Sequence, residues 1–162
     1  MAGLKKKPGS VLRDVVETVA YAALGVFIAV LIYQALILLL GTERPVIDVI
    51  SESMSPSINR GDLVIVKHAE PQDIKIGDVI VFDTLSQSLP VIHRVYKIND
   101  DGTFQTLGDN NRGVQHEWEK QISAKDIVGK SVLVIPYAGL IKITVCDSVP
   151  AVCRAFSPAV NR

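Results

Sequence analysis

Three short stretches of this 162-residue chain carry residue types that together make a reactive hydroxyl. Ser51-Glu52-Ser53-Met54-Ser55-Pro56 spaces two serines by one residue. On an extended chain they point to the same side. Ser53 could then attack a carbonyl while Ser51 offers a hydroxyl to the developing oxyanion, with Pro56 limiting the sway of the backbone beyond. Taken alone, a serine at a strand end is a turn or a helix cap. Pro90-Val91-Ile92-His93-Arg94-Val95 puts Val91, His93 and Val95 on one face of a strand. Partial burial there lowers the imidazole pKa and keeps it neutral, as a general base near pH 7 requires. His68, at the end of a strand, and His116, in a polar loop, read as solvated. Gly108-Asp109-Asn110-Asn111 reads as a turn, or as a carboxylate at a strand end able to hold an imidazole in one tautomer. A serine needs an adjacent base to be nucleophilic at neutral pH, so Ser53, His93 and Asp109 in combination point to hydrolytic acyl transfer.

The elements that must position these residues are strands. Val46–Ile50, Leu63–Lys67, Val79–Phe82, Val91–Ile98, Thr103–Leu107 and Ser131–Ile135 are short runs rich in Val and Ile. Gly-, Asp- and Asn-containing turns separate them, and Asp101-Gly102 predicts a hairpin. Gly61-Asp62-Leu63-Val64 echoes Gly77-Asp78-Val79-Ile80, a repeated strand-entry device. One helical turn is expected from Ser123 to Ile127, with Ser123 as its cap.

Ahead of the strands, no charge falls between Glu17 and Glu43. The stretch is long enough to span a bilayer, too long for the core of a cleaved leader, and is followed by no small-x-small cut, so it reads as an uncleaved signal-anchor. Lys5, Lys6, Lys7 and Arg13 precede it and only Arg44 follows closely, which predicts a cytoplasmic N-terminus and an extracytoplasmic remainder. The expected division is a cytoplasmic segment 1–14, a transmembrane helix 15–42, an extracytoplasmic β-rich domain 43–145 and a tail 146–162 of unassigned role. The fold class is mainly β: a single N-terminal transmembrane helix, then an antiparallel sheet.

Composition removes several function classes. Lys plus Arg and Asp plus Glu both number 17, so no basic excess points to nucleic acid. Cys146 and Cys153 form neither a CxxC pair nor a Cys/His cluster, so no metal site is expected. They are either a short-loop disulfide or two unpaired small apolar residues.

The serine, histidine and Gly-Asp-Asn stretches, with Arg60-Gly61-Asp62, Gly77–Phe82, Ile127–Lys130 and Pro136–Gly139 in the same order, resemble the type I signal peptidases of the archaeal and endoplasmic-reticulum branch. The likeness covers roughly Val46 to Leu140 together with the anchor. The bacterial branch has a lysine base directly before the arginine; His93 stands there in this chain. The resemblance implies a membrane-bound serine endopeptidase with Ser53 as nucleophile and His93 as base. Ser51 and the Ser53 N–H would form the oxyanion hole, and Met54 would sit beside the substrate. It implies no cofactor. The implied partners are the signal peptides of secretory pre-proteins, cut after small residues as in Ala-x-Ala, together with membrane lipids and the subunits of a signal peptidase complex. The histidine branch often carries a second acid six positions after the Asp of its Gly-Asp-Asn box, and here that position is Gln115. The third member is then Asp109, or Glu117, or an amide at Gln115, or the site is a Ser-His pair. Gln115 also admits a non-catalytic subunit that binds leaders without cutting them.

Overall fold

The computed structural model of the chain describes residues 8–140, with side chains from residue 12 onward. Cys146, Cys153 and the expected tail 146–162 lie outside the described residues. The chain divides into two compact units, one up to Leu39 and one from Leu40 on.

The first unit is helix α1, Pro8–Leu40, 33 residues long. Gly41, at φ 65°, ends it in the left-handed conformation that glycine adopts without steric cost. From Leu12 to Leu40 the mean hydropathy is 2.6, and none of it is buried within the protein. The helix is long and apolar enough to cross a membrane.

The second unit is a six-stranded antiparallel sheet: β1 Val46–Asp48, β2 Leu63–Lys67, β3 Val79–Phe82, β4 Val91–Ile98, β5 Phe104–Leu107 and β6 Ile127–Ile135. In space the order is β1-β2-β6-β3-β4-β5. Three of the expected strands appear with the bounds read from the sequence. β1 stops at Asp48, before Ile50. β6 starts earlier than Ser131, at Ile127, through a stretch whose Gly129 masks its strand character. A Cβ on Gly129 would collide with the Lys67 carbonyl of β2, so only glycine permits that approach. Ala124–Asp126 forms a single 3₁₀ turn with Ser123 in the cap position, though the Ser123 side chain makes no capping bond.

Both faces of the sheet are covered. Val49, Met54, Ile58, Val64, Val66 and Val81 form one core, and Ile74, Ile80, Phe82, Val95, Phe104 and Ile122 form the other. That is why β3 reads as an uninterrupted apolar run: Val81 faces one core while Ile80 and Phe82 face the other.

The two Gly-Asp turns are the same device. Asp62 Oδ2 accepts the Asn59 N–H at 2.8 Å, and Asp78 Oδ2 accepts the Lys75 N–H at 2.8 Å. Gly61 and Gly77 both lie at φ 94°. Each aspartate thereby closes its own turn and fixes where the next strand begins.

Candidate active site

Beyond Asp48 the chain passes through Val49–Ser51 into a tight coil. The Ser55 N–H donates to Glu52 O at 3.1 Å and the Ile58 N–H to Met54 O at 3.0 Å, while the Ser55–Pro56 peptide is cis. Ser53 therefore sits at the mouth of a turn rather than on the extended chain expected for it. The two serines still meet, with Ser51 Oγ and Ser53 Oγ 3.3 Å apart. Among the described residues no acceptor engages the Ser53 N–H. Met54 points inward as part of the core and forms the floor beneath Ser53.

His93 sits on β4 opposite Ile80 of β3 and, with Val95, faces inward. It is 4% exposed. Ser51, Ser53, Met54 and His93 line one cavity of about 310 Å³. Two chain segments wall it, Asp48–Ser51 on one side and Gln87–His93 on the other, and Asn111, His116 and Trp118 complete it. Folding thus brings together the serine and histidine stretches, which are forty residues apart in sequence.

The carboxylate on the imidazole is not Asp109. Asp109 makes a two-pronged ion pair with Arg94, Nε to Oδ1 at 2.8 Å and Nη2 to Oδ2 at 2.6 Å. That guanidinium bond, assisted by Ser57, outweighs partial burial and holds the Asp109 carboxyl below the ordinary carboxylate range. Side chains of adjacent strand residues point to opposite faces, so a carboxylate gripping Arg94 is turned away from His93. Glu117 is also elsewhere: it is exposed and pairs with Lys120 at 2.5 Å. Gln115 does not reach the ring either. Its Nε2 donates to the carbonyls of Thr106 (2.9 Å) and Glu119 (3.4 Å).

The partner of His93 is Glu119, a residue the sequence did not single out. Its Oε1 lies 2.6 Å from His93 Nδ1, and its side chain is fully buried. Its Oε2 accepts the His116 N–H at 2.7 Å, so both carboxylate oxygens are engaged. A carboxylate accepts, so Nδ1 carries the ring proton and Nε2 keeps the free lone pair. Burial pushes the His93 pKa below its ordinary value, and the Glu119 carboxylate offsets part of that fall. Trp118 shields the pair, its indole stacked with His93 at 6.1 Å and with His116 at 5.2 Å between ring centroids.

The Gly-Asp-Asn box has a further task. The Asn110 N–H donates to Ser53 O at 2.8 Å, and Asn110 Nδ2 donates to Glu52 O at 3.1 Å. A Cβ on Gly108 would stand 2.6 Å from Ser53 O. The box therefore lies flat against the serine backbone with one residue while its neighbour holds the arginine beside the histidine. Arg94 also reaches the Gly77 carbonyl at 2.9 Å, linking the second Gly-Asp turn to the same brace.

No group of His, Cys, Asp and Glu suited to a metal ion occurs among the described residues. The arrangement is a serine hydroxyl, a neutral imidazole with a buried carboxylate behind it, and an apolar cleft bordered by backbone. These are the parts of nucleophilic acyl transfer.

The chain is similar to known proteins. Residues 18–103 match the family described as signal peptidase, peptidase S26. Over 127 residues the chain is 36% identical to signal peptidase complex catalytic subunit SEC11C of Homo sapiens, a match covering 74% of this chain and 66% of that protein. It is 28% identical over 143 residues to signal peptidase complex catalytic subunit sec11 of Dictyostelium discoideum, covering 83% and 79% respectively.

Proposed function

The chain belongs to the signal peptidase family of peptidase S26, and from that premise we propose that it is a membrane-bound serine endopeptidase that removes signal peptides from secretory pre-proteins. The observation that carries the proposal is the cavity shared by Ser53 and His93, with the His93 Nε2 lone pair left open by the bond on Nδ1. The incoming leader lies extended between Asp48–Ser51 and Gln87–His93 and pairs with the backbone that leads to Ser53. Alternate side chains of the leader then turn into the cleft. Small residues at the first and third positions before the cut are what the resemblance to the signal peptidases implies for this cleft.

Ser53 Oγ attacks the scissile carbonyl carbon as its proton passes to His93 Nε2. The carbonyl oxygen, now an oxyanion, accepts from the Ser53 N–H and the Ser51 hydroxyl. Collapse of this intermediate breaks the C–N bond, and Nε2 returns the proton to the departing amine. Water, deprotonated by the same nitrogen, then releases the acyl group from Ser53. Helix α1 holds the chain in the bilayer, N-terminus on the cytoplasmic side, which concentrates the site where leaders emerge. A non-catalytic role rested on Gln115 leaving His93 without a carboxylate. Glu119 removes that ground.

The test uses the full chain in detergent micelles with a pre-protein carrying Ala at the first and third positions before the cut. Ser53→Ala should abolish cleavage, and Leu at the third position should prevent it in the parent. Cleavage by Ser53→Ala at the parental rate would overturn the proposal.

A further inference from the structure

Building on that peptidase reading, we infer that Glu119 is the positioning residue for the His93 base, and that Gln115 and the His116 backbone hold it in that role. Three independent features support this. The first is geometry: Glu119 Oε1 is 2.6 Å from Nδ1, the nitrogen facing away from the nucleophile in a working triad. The second is burial, with the Glu119 side chain 0% and His93 4% exposed. A buried carboxylate needs both oxygens satisfied, and the His93 ring and the His116 N–H supply the two donors. The third is the support beneath it. Gln115 Nε2 bridges the Thr106 carbonyl of β5 and the carbonyl of Glu119 itself, which pins the turn that presents the carboxylate. Glu119 thus stands four residues along the chain from Gln115, and that amide braces its turn. Asp109 is committed to Arg94 and sets the strand, not the ring.

The role differs from that of a merely structural carboxylate. While ionised, Glu119 fixes the Nδ1–H tautomer and stabilises the imidazolium formed as Ser53 loses its proton. An amide in its place keeps the shape, loses the charge and can present an N–H to Nδ1, which favours the unproductive tautomer.

Glu119→Gln, Glu119→Asp, Asp109→Asn and Ser53→Ala are compared in the full chain in detergent, with kcat and KM measured on one pre-protein. In parallel, the His93 ring nitrogens are followed by ¹⁵N NMR above pH 7. Glu119→Gln should lower kcat by on the order of 10³–10⁴-fold with KM within about threefold, because the loss falls on the transition state. Glu119→Asp, which keeps the charge, should recover at least tenfold of that loss. The Nδ1–H signal of His93 should be present in the parent and lost or shared with Nε2 in Glu119→Gln, a readout that needs no turnover. The inference is overturned if Glu119→Gln keeps kcat within tenfold of the parent. It is equally overturned if Asp109→Asn alone changes the His93 tautomer. Cleavage that survives Ser53→Ala sinks the peptidase reading instead, and the NMR result still decides the role of Glu119.

Discussion

His93 is a buried imidazole whose basicity is set by its surroundings. Burial beside Trp118 holds its pKa below 6.5 although Glu119 pulls the other way. In the proposed mechanism the active form is the neutral ring, so kcat/KM should fall on the acid side with an apparent pKa below 6.5. Trp118→Ala, by admitting water, should move that limb upward. A pH–rate profile of parent and variant checks both. Stability follows the same sign. As pH falls through 6.5 the unfolded chain takes up a proton that folded His93 refuses. This contribution is therefore complete above 6.5 and is lost between 6.5 and the lower folded value. His93 was legible in the sequence because it stands in a run whose period places its face, whereas Ser53 sits in a turn that the expected extended run did not foretell. Glu119 was not legible. Glu117-Trp118-Glu119 reads as a solvated acidic turn, and only the 3₁₀ geometry decides that Glu117 faces water, 88% exposed, while Glu119 is sealed. An acid beside a tryptophan in a polar loop was the one available hint.

At the scale of elements, the strands did what their alternation promised, and the hairpin at Asp101-Gly102 closes β4 on β5 as expected: the Asn99 N–H donates to Thr103 O and the Gly102 N–H to Asn99 O. The sheet order was beyond reach. β6 inserts between β2 and β3, a pairing of segments about fifty to seventy residues apart that no local pattern encodes. The loop box makes bracing contacts: Asn110 grips the serine backbone while Asp109 grips Arg94. Its weak point is Gly108. Gly108→Ala must displace both Ser53 O and the Asn111 side chain. An ångström of misplacement at a reacting group can cost about 10²-fold in rate, and overpacking typically costs about 1–3 kcal/mol. We expect kcat to fall by about that factor and the melting temperature to drop, measured by turnover and by thermal unfolding followed by circular dichroism.

At the scale of the whole molecule, the chain has an apolar helix and a sheet domain whose two cores are built from residues of the sheet unit. Membrane retention and chemistry should therefore separate. Two arginines in mid-helix, Ile28→Arg with Leu31→Arg, each cost about 2.5–3.5 kcal/mol of insertion. The double variant should leave the pellet on alkaline extraction of membranes, yet still cut a short soluble leader peptide in detergent. A variant that stays in the pellet would argue against α1 as the anchor. The sheet also carries a liability at its margin. β1 is an edge strand of three residues, and the border that would take a leader under the proposed reading is open to any stray extended polypeptide as well. Its brevity limits how firmly unwanted chains can adhere. A longer border would grip cargo better and, by the same contacts, invite fouling and self-association.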